Sequence, residues 1–200
     1  MDIRTAIENR RSIRKFKPDP IPLTDIKELV RRASLAPSVN NSQPWHFIVV
    51  TKKEKIADIA QMVHKKVHAV FEGDKTNVTK TVDYFSTIFE KAPVVIFIAA
   101  EPYEAIADEL IPHDRIDEMR QRPNIQSLGA AVENLLLSAV EMGYGACWLS
   151  GLMVARAELE QTLGIEAPFE LMTAVALGLP DGEPGRRKKK DLAEIFTLID

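Results

Sequence analysis

Cysteine is almost missing from this chain: one residue, Cys147, in 200. A lone cysteine excludes an internal disulfide. It lies in the apolar stretch "YGACWLSG", with no histidine of a known catalytic signature nearby, and reads as a small buried hydrophobe and not a nucleophile. Long hydrophobic runs are missing too. The longest, "PVVIFIAA" over 93–100, falls far short of a membrane span, and "MDIRTAIENRR" is charged where a signal peptide is apolar. A soluble, intracellular, cytoplasmic protein is expected. Positive charge is not in excess: 29 acidic residues against 26 basic, formal net charge -3, which argues against a generally basic nucleic-acid surface. Linkers and repeats are absent, and low complexity is confined to "RRKKK" over 186–190, so 46% hydrophobic content points to one continuous domain over residues 1–200. There is no GxGxxG dinucleotide fingerprint and no convincingly spaced Ser/His/Asp or paired-carboxylate set.

What is present is a regular alternation of elements. Asp2 can cap a first helix through Ile3, Ala6 and Ile7 that runs up to the arginines. "PLTDIKELVRRASLAPS" predicts a second, with Thr24 as cap, Ile26, Leu29, Val30 and Ala33 inward and Pro37 as the stop. Amphipathic spacing predicts helices over 53–70 (Ile56, Ile59, Ala60, Val63, Val67), over 124–142 (Leu128, Val132, Leu135, Leu136, Ala139, with Gly143 as a left-handed stop) and over 155–163. "HFIVVT", "PVVIFIAA", "GACWLS" and "ELMTAVALG" read as strands. The mixture predicts helices packed on a sheet. Residues 71–85 and 101–123 have no clear period and read as surface structure placed to cover a pocket.

Against the acidic background, "RRSIRKF" over 10–16 concentrates three arginines. Helix-end charge and anion binding explain it equally well on that segment alone. "APSVNNSQPWHF" over 36–47 supplies amides and hydroxyls without charge, the donors and acceptors that a polar heterocycle's edge requires. The run "GRRKKKDLAEIF" leads into Leu192, Ile195 and Phe196, a pattern able to dock onto the body and hold its cations in place. His64 and His68 stand four apart on a helix, but with Lys65 and Lys66 beside them they read as a solvated pair, not metal ligands. His46 reads as a satisfied structural histidine, and Tyr144 and Trp148 as core packing.

Taken in order, "RRSIRKF", "PSVNNSQPW", the strand "APVVI", the helix "GAAVENLLLSAVEMGYG", "WLSG" and a basic stretch before "LAEIF" resemble the FMN-dependent nitroreductase family over nearly the whole chain. The resemblance implies an α+β fold, a central mostly antiparallel sheet flanked by helices, in an intertwined homodimer with FMN at the interface. It implies phosphate and ribityl contacts from Arg10, Arg11 and Ser12, and a cation, Arg14, beside flavin N1 and O2. Pro37, Ser38, Val39, Asn41 and Gln43 resemble the loop that the partner subunit supplies. Ser150 and Gly151 match the backbone near N5 and O4, Arg187 and Lys189 the second pair of phosphate cations, and Asn77 is the nearest candidate for the pyrimidine edge. The implied activity is ping-pong hydride transfer from NADH or NADPH through flavin to small electron-poor aromatics such as nitroaromatics and quinones, with no catalytic side chain or metal required, and with no nucleic-acid or membrane partner. The alternatives are an FMN-binding protein without nicotinamide turnover and a reductive dehalogenase or flavin-fragmenting relative on the same fold.

Overall fold

The computed structural model describes every residue except 75, 184, 186, 187 and 200. Among the described residues there are seven helices and four strands. In chain order they are α1 (Ile3–Asn9), α2 (Leu23–Ala33), β1 (Trp45–Val50), α3 (Lys53–Val70), α4 (Val78–Thr87), β2 (Val94–Ala100), α5 (His113–Met119), α6 (Pro123–Glu141), β3 (Gly145–Leu149), α7 (Arg156–Leu163) and β4 (Glu170–Gly178). The strands form one antiparallel sheet in the order β1-β2-β4-β3, so the fold is α+β, as expected.

Strand periodicity decides the layering. Along β2, Val95 and Phe97 point to one core, with Ile56, Ile59, Val63 and Val67 of α3 and Leu159 of α7. Val94, Ile96, Ile98 and Ala100 point to the other, with Ile26 and Leu29 of α2 and Leu128, Val132 and Leu135 of α6. All seven β2 residues are buried, which is why this strand is a continuous apolar run and not an alternating one. Each large side chain so buried contributes about 1.5–3 kcal/mol relative to exposure.

Local rules account for most helix ends. The Asp2 carboxylate accepts the Thr5 N–H at 2.8 Å and caps α1. Gly143 and Gly164 take the positive φ values, 82° and 68°, that close α6 and α7. Two expectations need correction. Thr24 does not cap α2, because the helix starts two residues earlier than that, at Leu23 after Pro22, and the Thr24 hydroxyl faces Asp25 Oδ1 at 3.2 Å. The tail residues Leu192, Ile195 and Phe196 stay exposed on this chain instead of docking on its body.

The two stretches without a period contain helices. α4 is preceded by Asp74, whose carboxylate accepts from the hydroxyls of Thr76 and Thr79 and from their N–H groups, and these bonds, the hydroxyls first, hold its pKa well below the usual range. Residues 101–123 form a 3-10 turn (Ile106–Glu109) and α5 around a small cluster of Tyr103, Ala105 and Ile116.

Candidate functional site

The arginine segment is held on the sheet by two glycines. Ser12 bridges Ala146 at the start of β3, and Ile13 donates its N–H to Ala146 O at 2.9 Å. A Cβ on Gly145 would lie 2.7 Å from Ile13, and one on Gly178 would lie 2.8 Å from Pro93 and 2.9 Å from Phe16. Only hydrogen at both positions lets residues 12–16 press this close.

From there the arginines divide. Arg11 turns back on α1, donating Nη1–H bonds to Glu8 O at 2.7 Å and Arg10 O at 2.8 Å, the helix-end role. Among the described residues Arg10 keeps only a loose ion pair, 3.6 Å to Glu133 of α6, and Arg14 only a long bond of 3.4 Å to Ser12 O. Arg10, Arg11, Ser12 and Arg14 line a cavity of about 120 Å³, closed from the far end of the chain by Gly185 and Lys189. Four cations converge there in a chain of net charge -3. Of the two tail cations expected there, Lys189 lines the cavity, and Arg187 lies outside the described residues. Gly185 was missed by the sequence analysis; its place just before the basic run is the one cue to it.

Arg14 also borders a larger cleft, about 580 Å³, walled by Phe16, His64, Asp83, Tyr84 and Thr87. In its wall, Asp83 Oδ1 stands 2.6 Å from His64 Nδ1, and Asp83 Oδ2 stands 3.8 Å from His68 Nε2, so these histidines tie α3 to α4. Among the described residues no group of three or more His, Cys, Asp or Glu is placed to hold a metal ion.

Ser150 and Gly151 follow β3 directly. The buried Ser86 hydroxyl of α4 donates to Gly151 O at 3.0 Å, and a Cβ on Gly151 would lie 3.0 Å from Ser86 Cα. Trp148 is not core, contrary to expectation. It is 46% exposed in an otherwise buried strand. Tyr144 is half-buried and donates to Asp25 Oδ2 at 2.6 Å; burial, then that bond, push its pKa up to about 12. Cys147 is buried, and burial pushes its thiol up. His46 is exposed, its ring 5.3 Å from that of Phe169, and is not the satisfied structural histidine expected. Asn77 immediately precedes α4 and lines neither of the two cavities that Arg14 borders.

The loop over 37–43 lies elsewhere. Ser38 organises it: its backbone O accepts from Asn41 N–H at 3.1 Å, and its Oγ from Gln43 N–H at 2.9 Å. The Val39 N–H is committed to Ser127 Oγ of α6 at 2.9 Å, and Asn40 Nδ2 reaches Glu104 O at 3.1 Å. Asn40, Asn41 and Gln43 all have positive φ, a conformation costly for Gln and tolerated by Asn. Pro37 opens the loop, exposed. The loop leads into Trp45, which pairs with Ala100, which pairs with Glu170; Ser12 pairs with Ala146, which pairs with Leu177. The loop sits at the start of α6 through Ser127, whereas Arg10 pairs with Glu133 six residues further along that helix, about 9 Å at 1.5 Å per residue, and none of residues 37–43 lines the arginine cavity. Within one chain the two do not meet.

The comparisons with known proteins agree with this fold. Residues 7–179 match the model of the Nitroreductase family. A BluB-like flavoprotein from Clostridium difficile 630 superposes with a TM-score of 0.90 at 35% identity, covering all of both chains. An NADH dehydrogenase from Thermus thermophilus is 28% identical over 210 residues, 94% of this chain and 92% of its own. A nitroreductase with bound FMN from Bacteroides fragilis shares the fold at a TM-score of 0.76 and 18% identity, covering all of both chains. The matched span runs from just before the arginine segment to just after β4, and on that evidence the chain belongs to the nitroreductase family.

Proposed function

We propose that this chain is an FMN-dependent oxidoreductase that takes hydride from NADH or NADPH and delivers it to small electron-poor aromatics such as nitroaromatics and quinones. The observation that carries the reading is the cavity in which Arg10, Ser12 and Arg14 meet Gly185 and Lys189 from the other end of the chain. Its volume and charge suit a phosphate monoester, and charge-assisted bonds of this kind contribute about 1.5–3 kcal/mol each. FMN, when bound, supplies the hydride-accepting ring, so the protein's own task is to hold and orient it. Arg10 and Lys189 neutralise the phosphate while Ser12 offers a hydroxyl to the sugar chain. Arg14, which borders both the cavity and the larger cleft, places fixed positive charge where the reduced ring system would accumulate negative charge. The Gly151 carbonyl is already engaged by Ser86, which orients that backbone for a ligand edge.

The homodimer forms part of this proposal. None of residues 37–43 lines the arginine cavity of its own chain, so the same loop of a second copy would supply the other wall. Among the described residues no helix is long and apolar enough to cross a membrane. A second reading, flavin binding without nicotinamide turnover, draws support from the BluB-like flavoprotein at 35% identity, whose name carries a flavin and no nicotinamide.

The test is an absorbance spectrum of the purified protein, repeated without air after NADH, then NADPH, then a nitroaromatic or quinone. Flavin bands that bleach with a nicotinamide and recover with the acceptor support the proposal and identify the donor. Bands that never bleach favour the non-turnover reading. Protein that cannot take up FMN refutes both.

A further inference from the structure

β3 buries four of its five residues and exposes the largest, Trp148. The indole is nonetheless fixed. Its Nε1–H donates to Thr173 Oγ1 at 2.7 Å, and the buried Thr173 hydroxyl donates in turn to Leu149 O at 2.6 Å. Its one polar atom is therefore satisfied inside the protein, and what faces outward is flat hydrocarbon held in one orientation. Across from it α6 carries no side chain: a Cβ on Gly129 would stand 3.9 Å from Trp148 Cη2, so the indole rim lies against helix backbone.

Its place along the chain gives that surface a use. Two residues before it, Ala146 bridges Ser12 of the arginine cavity; two and three residues after it come Ser150 and Gly151. One helical turn from Gly129, Glu133 pairs with Arg10. Trp148 thus stands midway between the anion cavity and the Gly151 backbone, about 7 Å along the strand from Ala146. A ligand with a phosphate in the cavity and a ring edge at Gly151 would run along the strand that carries it.

We infer that Trp148 is the aromatic surface on which the isoalloxazine ring of FMN lies, a positioning contact beyond the polar residues of the motifs. The inference rests on the FMN reading above. Stacking on an aromatic side chain predicts about tenfold weaker FMN retention in Trp148→Ala, with most of it regained in Trp148→Phe.

The test reads the emission of bound FMN under visible excitation, which only a group in contact quenches efficiently. It uses wild type, Trp45→Phe, Trp148→Phe and Trp148→Ala, each checked by thermal unfolding and elution volume. Bound flavin is expected to be dark in wild type and Trp45→Phe, bright and tightly held in Trp148→Phe, and bright and weakly held in Trp148→Ala. Flavin that stays dark and tightly held in both Trp148 variants overturns the inference, and places the ring elsewhere, as against Tyr84 in the larger cleft. A changed elution volume with unchanged FMN affinity also overturns it and makes Trp148 a subunit contact. Trp148→Phe retains the ring, so a collapse of Trp148→Ala alone leaves the emission test standing. If wild type takes up no FMN, the parent proposal fails; if FMN binds with Trp148 irrelevant, only this inference fails.

Discussion

Replacing Gly145 by alanine should dislodge the arginine segment from the sheet. The added Cβ would lie 2.7 Å from Ile13 Cγ1 and 2.8 Å from both Ile13 Cβ and Cγ2. Carbon pairs pack best near 3.5–4.0 Å, so three contacts fall about 1 Å short, and one of them is to a Cβ that no rotamer change can move. The segment has to back away, stretching the 2.9 Å bond from Ile13 N–H to Ala146 O and carrying Ser12 and Arg14 with it. Overpacking of this kind costs about 1–3 kcal/mol. In a chain of this size that lowers the unfolding midpoint by about 2–12 °C. If one charge-assisted phosphate contact is lost as well, FMN retention falls at least about tenfold. The assay is thermal unfolding of the apo and FMN-loaded forms beside an FMN titration. Gly129→Ala provides the comparison, because its new Cβ meets nothing nearer than 3.9 Å and alanine stabilises a helix by up to about 1 kcal/mol over glycine. The same chemical change at two positions should therefore move stability in opposite directions. A Gly145→Ala protein that melts with wild type and holds FMN equally well would refute the argument that this contact seats the arginines.

Three further outcomes are expected. Lys189→Gln should weaken FMN retention by roughly tenfold while leaving the unfolding midpoint of the apo form unchanged, since Lys189 is exposed and its charged contact of about 1.5 kcal/mol or more is made only to ligand; titration of apo protein checks it. The Tyr144 phenol is raised from 10.0 to about 12, so its contribution is complete below pH 10 and lost as pH rises from there through about 12; Tyr144→Phe should flatten that alkaline limb in denaturant titrations across the range. Cys147, buried with its thiol pushed up, should resist a thiol reagent in the folded protein and react at once on unfolding; rapid labelling without denaturant would contradict its assignment as packing.

How far the fold was legible depends on whether a segment carries a stripe. α3 was expected over 53–70 and forms over those residues, because five apolar positions recur at helical spacing and all five are buried. α6 begins one residue earlier than expected, at Pro123, where proline suits a first turn. α4 and α5 went unseen for the opposite reason. α4 is rich in threonine and β-branched residues, and its start depends on Asp74 reaching forward to Thr76 and Thr79, a local signal without periodicity. α5 has seven residues and buries one, Ile116. In the candidate site, the arginine motif was visible but the division of labour within it was not: all three arginines line the cavity, but Arg11 spends its guanidinium on its own helix end. Trp148 was misjudged because composition favours burying an indole in a strand, whereas its exposure follows from which face of the edge strand lies beside Gly129.

The closing of the arginine cavity by Gly185 and Lys189 also bears on the timing of maturation. Residues 10–14 leave the ribosome early, but the groups that complete their anion cavity are made some 170 residues later, as are Leu179 and Pro180, which pair with Lys17 and Phe16. Contacts this distant in sequence form late in folding. A truncated product therefore carries the arginines without the enclosure that Gly185 and Lys189 complete.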